Sequence, residues 1–194
     1  MRRCRAWVSA LSLVCVFCAP VKPAKEAAGP RLLNIEAKPG AVIDRACVAS
    51  GPELCFNARD DNCNGILDEG CGVNTGLVQF AVAWAEAGAD VDLRVTDPNG
   101  ELVEAGRATQ SGLVKDRDCP GKLNACRGQN MENVYLEDGD PVRGKYRLRV
   151  RLEQLGAENP PILVTLGARV GPKTYALEMS LSRAGDEHEV VFEL

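Results

Sequence analysis

The sequence predicts an all-β chain, an antiparallel β-sandwich preceded by a small cysteine-rich knot. Short runs in which apolar and polar residues alternate recur from Val78 to the C-terminus, turn signals separate them, and no stretch carries a sustained helical apolar period. Ahead of these runs Cys47, Cys55, Cys63 and Cys71 recur every eight residues. With 194 residues, 45% of them hydrophobic and 26% charged, the chain is long and apolar enough for one buried core plus a small appendage.

The N-terminus reads as an export signal over residues 1–18. Met1-Arg2-Arg3-Cys4-Arg5 is basic, and the apolar run Ala6 to Ala19 is too short to span a bilayer. Two outcomes fit its end: a cut after Cys18, or lipid attachment at Cys18. Removal of Cys4, Cys15 and Cys18 leaves six cysteines, whereas retention of a lipidated Cys18 leaves seven. Residues 19–46, with Pro20, Pro23 and Pro30 among Ala and Lys, have the composition of a tether. The expected address is the periplasm, the outer membrane surface or the extracellular space. Loss of Arg2, Arg3 and Arg5 takes the formal charge from -4 to -7, which argues against a nucleic-acid partner.

Residues 47–74 form the predicted knot. Against the template of a calcium-binding loop, Asp60 falls at position 1, Asn62 at 3, Asn64 at 5, Gly65 at 6, Ile66 at 7 and Asp68 at 9. Alternate residues of such a loop point oxygens at one hard cation, Ile66 contributes its carbonyl, and Gly65 makes the sharp turn. Cys71 stands where the template has a bidentate Glu, so Glu69, a water or another segment must complete the shell. The competing reading takes these Asp, Asn and Gly residues as ordinary turn formers. In an exported chain the six later cysteines are expected to be paired. Cys119 with Cys126 is a local pair whose closure stabilises by about 2.5 kcal/mol on the chain-entropy model. Three connectivities remain open among Cys47, Cys55, Cys63 and Cys71. A zinc site on these four is the rival, at a spacing far from that of structural zinc sites.

The segments Pro52-Glu53-Leu54-Cys55, Asp61-Asn62-Cys63-Asn64-Gly65 and Asp68-Glu69-Gly70-Cys71 resemble the metal-binding repeat named after the copper protein MopE, over residues 47–72. The resemblance implies a metal ligand set in a secreted bacterial protein. Copper favours imidazole and sulfur ligands. The segment has neither His nor Met, so Ca2+ is the expected ion.

Residues 75–194 form the predicted sandwich. Val78, Phe80, Val82 and Trp84 share one face; Val91, Leu93 and Val95 repeat the period of two, as do Leu148 to Leu152, Ile162 to Leu166, Tyr175 to Leu181 and Val190 to Leu194. Asp97-Pro98-Asn99-Gly100 is a strong turn, and Val170-Gly171-Pro172-Lys173 and Ala184-Gly185-Asp186 suit hairpins. The order D-x-D-L-x-V-x-D-P-x-G from Asp90, then Asp116-Arg117-Asp118, Glu132-Asn133-Val134-Tyr135 and Gly144-Lys145-Tyr146 resembles the YfaP-type domain of exported bacterial proteins over residues 76–194. The insertion Cys119 to Arg127 departs from that pattern. Asp90, Asp92 and Asp97, with Asp116, Asp118 and Glu132 or Asn133, make a second expected cation site at one end of the sandwich. The alternative is that each Asp caps a turn or pairs with Lys115, Arg94 or Arg117.

No G-x-S-x-G or H-E-x-x-H motif occurs, the single His188 lies between Glu187 and Glu189, and an aromatic content of 5% leaves few platforms for sugar stacking. No catalytic residue is assigned. The expected role is a non-catalytic calcium-binding interaction or structural module whose partner is an envelope protein or polysaccharide. A cryptic hydrolase acting through the acidic loop is the alternative. Arg147, Arg149 and Arg151 alternate with core residues and are expected on one outer face, facing an anionic polymer or cross-strand carboxylates.

Overall fold

The computed structural model describes residues 29–38, 41–44, 47–121 and 126–194. The export signal and Cys18 lie outside the described residues.

Two antiparallel sheets pack face to face. One has four strands in the order β1 (Asn34–Ala37), β10 (Glu187–Glu193), β7 (Lys145–Gln154), β4 (Asp90–Thr96). The other has six, in the order β2 (Val42–Asp44), β9 (Lys173–Leu181), β8 (Ile162–Val170), β3 (Val78–Trp84), β6 (Met131–Leu136), β5 (Leu113–Arg117). The core holds the alternating apolar positions read from the sequence and adds others, among them Ile35, Leu113 and Leu136; within it Phe80 stacks obliquely against Tyr146 and Phe192. The Tyr146 hydroxyl donates to the Val142 carbonyl at 2.7 Å, and burial pushes this phenol up to about 12.

Several expectations are corrected. Parts of the expected tether, Asn34–Ala37 and Val42–Asp44, are edge strands that pair with β10 and β9. Leu113–Arg117 and Met131–Leu136 are strands, so Asp116 lies on a strand rather than a loop. Their pattern hid them: every residue of β6 is buried, so it does not alternate, and β5 is a polar edge. Gly171-Pro172 is a two-residue hairpin turn, with Val170 opposite Lys173. Ala184-Gly185-Asp186 instead links β9 in one sheet to β10 in the other.

β3 is buried on both faces because the knot covers the outer face of the six-stranded sheet. Ala58 packs there against Ala81, Ala83 and Met131, with Phe56 and Val73 at the margin. Small residues permit this approach. A Cβ on Gly167 of β8 would lie 2.1 Å from the Ala58 carbonyl oxygen, closer than any real contact. Arg117 of β5 covers the Phe56 ring at 4.7 Å from its centroid, a cation–π contact holding the knot from the side.

Candidate functional site

The knot is crossed by two disulfides, Cys47–Cys63 and Cys55–Cys71, each spanning 16 residues. This alternate pairing is one of the three open connectivities, and it removes the zinc alternative, since all four sulfurs are committed. On the chain-entropy model each such loop stabilises by about 3 kcal/mol. Cys119 is joined to Cys126 as expected.

Between the crossings the chain curls around Asp60. Asp60 Oδ1 accepts from Asn64 N–H at 3.0 Å, and Oδ2 accepts from Gly65 N–H at 2.9 Å. Asn62 Oδ1 accepts from Asn64 N–H, and Asn64 Oδ1 from Ile66 N–H, both at 3.0 Å. Positions 1, 3, 5 and 7 of the loop template are thus wound onto one another, with Gly65 at φ 90° where the chain reverses. A Cβ on Gly65 would also meet the Pro172 carbonyl at 2.7 Å. The β9 side chain of Thr174 donates to Asp60 Oδ2 at 2.8 Å, so the loop is seated on the sandwich.

Glu69 closes the loop. Its Oε1 accepts from Asn62 Nδ2 at 2.8 Å, and its Oε2 accepts from Asn64 Nδ2. A carboxylate therefore reaches the loop from position 10, where the template uses position 12. Asp68 turns elsewhere: its two oxygens accept from the N–H groups of Asn57 and Ala58, both at 3.0 Å. Asp68 is fully buried, and burial raises its carboxyl to about 6 against the pull of those backbone donors. Asp61, missed in the sequence, ties the first turn by accepting from Ser50, Leu54 and Asn57. Asp60 and Asp61 are also buried. Among the described residues no three His, Cys, Asp or Glu side chains form a ready-made cage; the loop's oxygens are a mixture of carboxylate, amide and backbone.

The second acidic set is divided by the fold. Asp97 caps its own turn, accepting from Glu101 N–H at 2.8 Å. Asp116 faces the knot side, where Asn133 Nδ2 and Asn74 Nδ2 donate to it at 2.8 and 2.9 Å. Asn133 also accepts from Gln79, so this network anchors the segment that leaves the knot. The alternation of β5 and β6 sends these residues to the outer face and Lys115 and Glu132 to the inner one.

At the inner seam, between β4 and the β5–β6 pair, Lys115 Nζ lies 2.6 Å from Asp118 Oδ1 and 2.9 Å from Glu132 Oε2. An internal ammonium occupies the middle of the acidic set. Asp92 pairs with Arg94 at 3.1 Å, and Glu153 pairs with Arg94 and Arg151. Burial raises Asp90, helped by the neighbouring charges of Asp92, Glu153 and Asp118. Burial pushes the Glu132 carboxyl up, and the Lys115 ammonium beside it pulls it back toward the ionised form. Glu132 ties the two sheets together by a hydrogen bond, its Oε2 accepting the N–H of Leu93 in β4 at 2.6 Å. On the outer face of the four-stranded sheet, Arg149 lies opposite both Arg94 and Glu189 in register.

Fold and disulfides define a disulfide-braced β-sandwich with a small segment, crossed by two disulfides, on one face. In comparisons with protein-family models, curated proteins and solved structures, nothing matches the chain.

Proposed function

We propose that the chain is an exported, non-catalytic calcium-binding module that serves as an interaction or structural protein of the cell envelope. The observation that carries this reading is the loop wound on Asp60. Asp60, Asn62, Asn64 and Glu69 are gathered within one tight curl, with the Ile66 carbonyl next in line. Charged and neutral oxygens at that spacing suit calcium, which takes six to eight oxygen ligands. Asp68 serves the neighbouring turn, and Glu69 replaces it as the second acidic ligand. Three disulfides support an oxidising compartment outside the cytoplasm.

Calcium would offset the repulsion among the knot's carboxylates and stiffen a head held on the outer face of the sheet. The exposed side of that head would meet an envelope protein or polysaccharide. The test is thermal unfolding of the full chain in calcium and in chelator. Calcium at ten times its Kd raises stability by about 1.4 kcal/mol through linkage, and Glu69→Gln, which removes charge and keeps an acceptor, should reduce the rise. An unfolding temperature indifferent to calcium overturns the reading.

A further inference from the structure

The inner seam holds a primary amine between two carboxyl groups in the dry part of the sandwich. The side chains of Lys115, Glu132 and Asp118 are only 8%, 1% and 16% exposed. Glu132 Oε2 faces the Lys115 amine and accepts the Leu93 N–H, while Oε1 is buried with no hydrogen-bond partner among the described residues. We propose that Lys115 and Glu132 condense to a side-chain amide, an isopeptide bond joining β5 to β6, with Asp118 carrying the protons.

Each group takes a role in this condensation, and the contacts of Lys115 with Asp118 and with Glu132 set the first of these. The ammonium of Lys115 gives a proton to Asp118, its nearest carboxylate, and so becomes a nucleophile. Its nitrogen lone pair attacks Cδ of Glu132 and forms the C–N bond. The charge that develops on Oε2 falls where the Leu93 N–H already points, as in an oxyanion hole. Of the three ammonium protons, Asp118 passes two in succession to Oε1, and the third stays on the amide nitrogen. The C–Oε1 bond breaks with its electron pair, and Oε1 leaves as water. Ammonium plus carboxylate has become amide plus water, with Asp118 restored and no oxidant or activated donor required.

The interior also supplies a driving force. In bulk water the separated ions are favoured over the amide. In the seam one ammonium and two carboxylates are desolvated together, whereas the product leaves a single charge, that of Asp118, whose side chain is 16% exposed. Holding amine and carboxyl in contact replaces a bimolecular encounter by an intramolecular one. The product would pin β5 to β6, the one named strand with which it pairs among the described residues. An exported structural module gains from such a link because no reductant breaks it.

The full chain, recovered from the exported fraction, decides the matter by mass spectrometry after reduction and denaturation. The expected mass is one water below that of the sequence from its observed N-terminus. Fragment spectra should join the Lys115 segment to the Glu132 segment, and Lys115 should resist acylation in denaturant. Lys115→Met should restore the unmodified mass, and Asp118→Asn should leave a mixture of linked and unlinked chains. An undiminished wild-type mass with Lys115 freely acylated overturns the proposal. So does a dehydration mapped to another pair, Lys115 with Asp118 included.

Discussion

Thr174 on β9 donates its hydroxyl to Asp60 in the knot at 2.8 Å, across 114 residues of chain. Thr174 is buried, and Asp60 also receives Asn64 and Gly65 N–H groups. The sandwich thereby helps to set the one carboxylate around which the loop is wound. Thr174→Val should cost about 2 kcal/mol, the worth of a hydrogen bond to a charged group, while Thr174→Ser should be close to wild type. Urea unfolding of the two variants measures this.

At Gly167 the backbone of β8 lies close under the backbone of the knot. Its replacement by Ala sets a methyl group against the Ala58 carbonyl, backbone against backbone, so the knot must lift. Gly167→Ala should destabilise by about 2 kcal/mol, in the range of overpacked cores. The damage should be local: limited proteolysis should open the knot first and leave the sandwich intact.

The buried carboxyl of Asp68 makes stability pH-dependent. Its folded value near 6 lies above its ordinary value of 3.8, so the folded chain binds more protons between those limits. Stability therefore falls as pH rises from about 4 to about 6 and levels off above, for this group. In calcium-free protein Asp68→Asn should lower stability overall but remove that slope. Chemical unfolding at a series of pH values tests the sign.

The two crossed disulfides should act on the knot as a unit. Replacing Cys55 and Cys71 together by Ala should cost about 3 kcal/mol and weaken calcium uptake, since the loop between the crossings loses one of its ties. Hydrogen exchange should show the loss in residues 47–74 and little change in β3 and β8.

The strands that were legible in the sequence are those with one wet face. β4 and β7 alternate in exposure, and so do their apolar residues. β6 was not legible, because the knot dries its outer face and a Glu occupies its inner one, where Glu132 reads as surface until Lys115 and the Leu93 N–H are seen beside it. β1 and β2 are short edges in a stretch whose prolines suggest a tether. In the knot, spacing alone located the curl on Asp60, Asn62 and Asn64. It misplaced Asp68, whose partners Asn57 and Ala58 lie on a turn that depends on the pairing of Cys55 with Cys71. The second acidic set was expected to converge at one end of the sandwich, and strand alternation split it: Asp116 and Asn133 face outward, while Glu132 faces inward onto Lys115.

Under the proposed function the Asp60 loop takes up calcium. Calorimetric titration of calcium into the chelator-treated full chain tests it most directly. Binding to one site, with a Kd no weaker than about 1 mM as in extracellular modules, and its loss in Asp60→Ala with Glu69→Gln, is the predicted result. Uptake unchanged in that double variant, or no uptake by the wild-type chain, would contradict the account.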